Sequence, residues 1–226
     1  MGHRATTYFG GCYARFTNSK QLLFSGATGI EHIINRQVGP TCGFEAVENL
    51  IQLFRKVPNN LAYTDLIPRA AAYGFASQAE DGWSLSVQGC QRILADYDIP
   101  ARWYPFDWQN VIIPALWNNR GILVVAEGHA LNPGKYAAEG IGHAVLITNY
   151  CTDSSSLYLI GYVGGDSNSP GKEELWAHNN MVAATNWAAH HYRIGPALIT
   201  DLPVTWAKKA SYYKLVAPGI MNPVPW

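Results

Sequence analysis

Apolar residues recur along the chain with a helical period in its first half and a strand-like one in its second. Phe44, Val47, Ile51 and Phe54 fall at helical spacing, with Leu50 beside them, and the period predicts an amphipathic, buried helix. Gly39-Pro40 marks a turn before it, Thr41 is the expected N-cap, Glu45 lies near the first turn, and Pro58-Asn59-Asn60 closes it. Glu48, Asn49 and Gln52 fall on its other faces. Further helices are expected over residues 64–73, with Pro68 kinking the segment or delaying its start, and over 84–97, with Val87, Ile93 and Leu94 as the apolar face. A short strand is expected at 103–106 and a helix interrupted near Pro114 at 107–118. From residue 121 the apolar runs shorten and become β-branched or aromatic. Strands are expected at 122–126, 144–148 and 157–163, with edge strands at 197–200 and 212–216. Residues 5–35 read as irregular structure with short strands. Helices followed by strands predict an α+β fold, a helical lobe (about 35–120) packed on an antiparallel sheet lobe (about 121–226) within one domain of 1–226.

Composition narrows the function classes. The 226 residues carry 16 basic and 16 acidic side chains, so the formal net charge is zero and the electrostatic footprint of a nucleic-acid or anionic-membrane binder is missing. A 14% charged fraction with 8 Trp, 13 Tyr and 7 Phe is the composition of a folded chain with a substantial core. No apolar run approaches the length of a membrane helix, and MGHRATTYFGGCYARF has no apolar signal region. A cytoplasmic protein, or one exported without a recognisable signal peptide, is expected. Gly2 and Thr6 meet the loose N-myristoylation pattern, which chance also produces. The four cysteines, Cys12, Cys42, Cys90 and Cys151, form no CxxC pair and read mostly as thiols in a reducing compartment.

One cysteine stands apart. Cys42 follows a Gly-Pro turn and opens the buried helix, where unpaired backbone N–H groups and the positive end of the helix dipole favour a thiolate. Lowering a thiol from about 8.5 to about 4 takes roughly 6 kcal/mol, and a helix N-terminus supplies at most about 2. A paired imidazolium is therefore required. Of seven histidines, His143 sits at the mouth of the strand in GIGHAVLI, where rigid backbone would hold a base; His129, which ends a strand in EGHA, is the rival. Asp166, in GGDSNSP after the next strand, would come beside His143 if the two strands pair antiparallel, and would orient its ring. Asn168 could fill that place as a neutral acceptor, and Asp153 at the far hairpin suits it less. Gln37, just before the nucleophile, could donate to an oxyanion beside the Cys42 N–H.

The segments QVGPTCGFEAVENLIQLF, GHAVLITNY and YVGGDSNSP together resemble the papain-like cysteine peptidase superfamily, in style closest to its bacterial bacteriocin-leader-processing branch. The resemblance spans roughly residues 35–170. It implies a helical lobe led by the cysteine helix, a sheet lobe carrying the base and its orienter, and a substrate cleft between them. It maps Cys42 to nucleophile, His143 to base, Asp166 to orienter and Gln37 to oxyanion donor. Family members usually place five residues between Gln and Cys; here there are four, and Arg36 occupies the strict position.

A cysteine peptidase acting through an acyl-enzyme on peptide or protein substrates, without cofactor or metal, is the expected function. An acyl transferase such as a transglutaminase or peptide ligase with the same triad is the alternative, and a catalytically silent papain-like binding protein is another. Cys12, Cys90 and Cys151 read as structural. His190-His191 reads as structural too, because neighbours on a strand point to opposite faces and no ligand cluster surrounds them. The run at 166–169 lacks the EF-hand spacing of a calcium loop, and GIG is no phosphate loop. Trp83, Trp103, Trp108, Trp176 and Trp187 are candidates for an apolar cleft wall or, more commonly, for core.

Overall fold

A computed structural model describes residues 22–28, 34, 36–58, 60–136, 138–153, 159–169, 173–204, 211–217 and 220–223. The candidate lipidation site at Gly2, Cys12 and most of the 5–35 segment lie outside them. The elements in chain order are β1 Leu22–Thr28, α1 Cys42–Gln52, α2 Ile67–Ala72, β2 Ala76–Ala79, β3 Gly82–Leu85, α3 Val87–Asp96, β4 Ala101–Tyr104, α4 Ile113–Trp117, β5 Arg120–Glu127, α5 Gly128–Leu131, β6 Gly142–Asp153, β7 Leu159–Gly165, β8 Glu173–Ala177, α6 His178–Tyr192, β9 Ala197–Pro203, β10 Ser211–Ala217 and β11 Ile220–Pro223. The fold is α+β. Nine strands form one sheet in which the described pairings are antiparallel, and β2 pairs with β3 in a separate hairpin.

The long strand β6 organises the sheet. Its first half pairs with β5 (Ala126 opposite His143), its second half with β1, and its other edge with β7. At β5 and the first half of β6 both sheet faces are buried, which is why these segments read as unbroken apolar runs rather than alternating ones. Leu123, Val125, Ala144 and Leu146 pack into the core with Phe44, Val47, Leu50 and Ile51 of α1. Ile122, Val124, Val145 and Ile147 pack into a second core with Met181 and Ala184 of α6.

Several elements depart from the sequence pattern. The segments expected as helices at 64–73 and 107–118 each begin as π-helix, Ala62–Leu66 and Trp108–Ile112, and become α only around Pro68 and Pro114. Proline is tolerated in a first turn because its missing N–H has no partner to lose there. The helix expected from residue 84 begins at Val87, because 82–85 forms β3 and the Ser86 hydroxyl accepts from Gly89 N–H at 3.1 Å as the cap. The order of helices first and strands second is broken by β1 and β4, which join the sheet from the first half of the chain, and by α6 between β8 and β9. His190 and His191 lie in the last turn of α6, not on a strand.

Helix α1 is buried almost all round. Glu45, Glu48, Asn49 and Gln52, on the faces away from the apolar stripe, are buried as well. The segment after residue 60 covers that side, and Glu48 is built into it: one carboxylate oxygen accepts from Ala62 N–H at 2.6 Å, the other from the Gln52 amide at 3.1 Å. Thr41 precedes the helix as expected but caps none of its N–H groups. Its hydroxyl closes the preceding turn through Val38 O at 3.0 Å and meets the Tyr63 hydroxyl at 3.2 Å. Gly39 adopts φ +63°, and a Cβ there would lie 1.9 Å from the Asp81 carbonyl oxygen, so the turn aiming Cys42 requires glycine.

Burial, and then the neighbouring Glu48, push the Glu45 carboxyl up to about 7 from an ordinary 4.5. The folded state thus holds a proton that the unfolded chain releases, and stability falls as pH rises from 4.5 towards 7. We expect Glu45→Gln to be isoenergetic with the native protein below pH 4.5 and more stable by on the order of 2 kcal/mol at pH 8. Urea titrations at the two pH values check this; an equal difference at both would remove Glu45 as the cause.

Candidate active site

Three elements converge on Cys42. Helix α1 supplies the thiol at its first residue, β6 supplies His143 from its second, and the turn after β7 supplies Asp166. The antiparallel pairing of β6 with β7, Leu146 opposite Gly165, brings the carboxylate to the imidazole. His143 Nε2 lies 2.9 Å from Asp166 Oδ1, and the Cys42 side chain hydrogen-bonds the same ring, which leaves Nδ1 for the sulfur. The Ala144 backbone N–H also reaches the thiol.

Burial sets the electrostatics, because a charge taken out of water must be matched locally. For Cys42 burial works against ionisation, but the hydrogen bond and charge of His143, with the Ala144 N–H, outweigh it and hold the thiol below its ordinary value. For His143 burial opposes the charged form too, yet the bonds to Asp166 and Cys42 raise it to about 10. Asp166 has no solvent exposure, and the His143 bond and charge followed by the Lys135 cation overcome the cost of burial and hold it well below the usual carboxylate range. The two shifts run in opposite directions, Cys42 towards thiolate and His143 towards imidazolium, beside a carboxylate bonded to the ring.

Asp166 has four donors. Besides His143, its Oδ1 accepts from Asn168 N–H at 2.8 Å, and its Oδ2 accepts from the Tyr136 hydroxyl at 2.5 Å and Lys135 Nζ at 2.8 Å. The Tyr136 oxygen lies 2.9 Å from His143 Nε2 and accepts from the Asn168 amide at 3.1 Å. Asn168 thus serves the site behind Asp166 instead of replacing it. Lys135 and Tyr136 come from the loop between α5 and β6, which Glu127 clasps at both ends through Ala130 N–H at 2.5 Å and Gly140 N–H at 2.8 Å. Sequence reasoning missed both residues, and nothing in the polar string NPGKY sets them apart from an ordinary surface turn.

Gln37 is near but turned. Its Nε2 donates to Gly39 O at 3.0 Å, its Oε1 accepts from the Ser167 hydroxyl at 2.6 Å, and its backbone N–H donates to Ser167 O at 3.1 Å. One of its two amide N–H groups is therefore committed to the turn. Arg36 is exposed. His129 stands apart from the site: its Nδ1 faces the Tyr136 carbonyl at 2.7 Å, bracing the loop rather than the thiol. Asp153 ends β6, the strand that His143 opens from the other end.

A cleft of about 900 Å³ opens over the thiol, a size suited to part of a substrate. Its walls include Gln37, Val87, Cys90, Tyr136, Ile141 and Tyr192. At Gly142 a Cβ would lie 2.0 Å from the Tyr192 hydroxyl, so glycine there lets the end of α6 close the wall. None of the five tryptophans singled out lines it, and Trp176 is core. Cys90 is a buried thiol that burial pushes up to about 12, an inert counterpart to Cys42.

Among the described residues no cluster of three or more His, Cys, Asp or Glu is placed to hold a metal ion, and no helix is long and apolar enough to cross a membrane. The chain matches no protein-family model, and no curated protein is significantly similar to it.

Because His143 is what outweighs burial at Cys42, His143→Ala should abolish alkylation of Cys42 by iodoacetamide below about pH 6 and leave labelling only above about pH 8. His129→Ala should keep the native profile. Intact-mass kinetics across pH read both, and a profile that followed His129 instead would reassign the base.

Proposed function

We propose that the protein is a thiol hydrolase of papain-like type that cleaves peptide or amide bonds. The observation that carries this reading is one imidazole bonded on one side to a helix-opening cysteine and on the other to a buried carboxylate, inside a substrate-sized cleft. Cys42 thiolate attacks the scissile carbonyl, and electrons move onto the carbonyl oxygen. His143 gives its proton to the leaving amine as the tetrahedral adduct collapses to a thioester, then takes a proton from water as that water attacks the thioester, and collapse of this second adduct breaks the C–S bond, releasing the carboxylic acid and the Cys42 thiolate. Asp166 keeps the ring in place and supports its charged form through both steps. The Cys42 backbone N–H, one of the unpaired donors of the first helical turn, faces the oxyanion, with Gln37 as its partner. Peptides and proteins are the substrates this reading implies, and no organic cofactor enters it.

One observation favours a second reading. The tie between the Gln37 amide and Gly39 weakens the oxyanion site, as it would in a papain-like fold retained for binding.

Incubation with a proteome-derived peptide library, read by mass spectrometry, separates the two. We expect discrete cleavage products that Cys42→Ala abolishes, and a fall in kcat/KM of at least about 10³-fold for His143→Ala and Asp166→Asn. Gln37→Ala should cost about 10²-fold if its amide serves the oxyanion. A Cys42 that alkylates in the acid range yet neither cleaves peptides nor acylates with an activated ester would favour the binding protein.

A further inference from the structure

Beyond Asp166, the site continues as a chain of alternating charge. The Lys135 side chain is 21% exposed, and its Nζ donates to three acceptors: Asp166 Oδ2 at 2.8 Å, Ser169 Oγ at 2.9 Å and Glu174 Oε1 at 2.9 Å. All three ammonium protons are thereby used. Glu174, buried on β8, is brought there by strand register, since it pairs with Gly164 two residues before Asp166. The Ser169 hydroxyl donates to the same Glu174 oxygen. Thiolate, imidazolium, carboxylate, ammonium and carboxylate therefore follow one another from Cys42 to Glu174.

We propose that Lys135 and Glu174 are positioning residues of this site, a linked cation and anion that hold the second oxygen of Asp166 and set the pH range over which His143 stays protonated against Cys42. The inference rests on the thiol hydrolase reading.

Geometry alone would let the pair be a strut, but charge makes the two residues act in opposite directions. The ammonium sits across one carboxylate from the imidazole, Nζ 2.8 Å from Asp166 Oδ2 and His143 Nε2 2.9 Å from Oδ1. A unit charge on the order of 6 Å away moves a titration by roughly half a pH unit even at the dielectric of water. Lys135 disfavours the imidazolium and favours the thiolate. Glu174 offsets it. The other titratable groups around the network are Tyr136, whose hydroxyl burial and Asp166 push up; Glu127 and His129 at the α5 end of the loop and Glu139 near its β6 end; and Cys90, His191 and Tyr192, which line the cleft. None of them hydrogen-bonds Lys135 Nζ, which lies over the Tyr136 ring at 5.4 Å from its centroid, so the lysine and Glu174 can be varied without removing these groups.

The experiment is the pH dependence of Cys42 alkylation by iodoacetamide in the full chain, with melting curves on each variant. The native protein should show an acid inflection, where the thiolate–imidazolium pair forms, and an alkaline one, where His143 loses its proton. Lys135→Met should move the alkaline inflection up by about half a unit or more, with the acid one following in the same direction. Glu174→Gln should move it down, the double variant should return close to native, and Lys135→Arg should keep the native positions. If Lys135→Met gives no cooperative melt, Glu174→Gln and Lys135→Arg carry the comparison.

Shifts of one sign for both charge removals, or altered amplitudes at fixed inflections, would overturn the role and leave a strut. A native protein with a single inflection above about pH 8 would overturn the hydrolase reading and this one together. Both native inflections with unmoved variants would overturn only the lysine's role.

Discussion

A carboxylate with no access to water cannot stay charged unless the protein supplies what water would have given. Asp166 is in that position, and much of the site's architecture answers it. β6 brings the imidazole, the turn after β7 brings a backbone N–H, and the loop between α5 and β6 brings a phenol and an ammonium in consecutive residues. Truncating any one donor leaves part of a buried charge unmatched, which is worse than never having had the pair. The result is an orienting group whose position is over-determined. An imidazole held by it keeps one ring nitrogen permanently turned to the cysteine.

The same low-dielectric surroundings explain why Cys42 needs so much help. A helix N-terminus is an incomplete answer in a buried site, because burial alone drives a thiol towards neutrality, as Cys90 shows within the same cleft. What separates the two cysteines is the partner: Cys42 meets an imidazole and a backbone N–H, whereas Cys90 meets apolar surroundings and the repulsive charge of Cys42. Helix α1 is clamped from two sides, with the sheet on its apolar side and the segment after residue 60 on its polar side. Its first residue therefore faces the cleft with its position fixed from both sides, the pre-organisation that the proposed thiol hydrolase would need. A buried Glu45 on that helix is the stability cost of covering it completely.

Much of this was legible in the chain. The period of Phe44, Val47 and Ile51 and the turn at Gly39-Pro40 determine that a buried helix begins at Cys42, because no other local structure satisfies both. The apolar runs around 122–126, 144–148 and 157–163 determine neighbouring strands, and His143 before the second and Asp166 after the third, each preceded by glycine, mark the candidate base and its orienter. Helix α6 left no such trace. Its buried residues, Met181, Ala184, Thr185 and Ala188, keep helical spacing, but small side chains give little contrast between faces, so the histidines at its end read as strand residues.

Tertiary structure alone decided the rest. Lys135, Tyr136 and Glu174 belong to a loop and an outer strand with no periodicity to single them out; Lys135 and Tyr136 meet Asp166, and Glu174 meets Lys135, only because β6, β7 and β8 pair in one register. Likewise the Gln37 amide could be placed near the nucleophile by sequence, but which partner takes its N–H depends on where Gly39 and Ser167 arrive in space. Local sequence determines periods, turns and the residues at element ends, because those follow from backbone sterics and one-dimensional burial. Long-range hydrogen bonds between loops depend on the fold being complete, and they determine how the charges at Cys42, His143 and Asp166 are held.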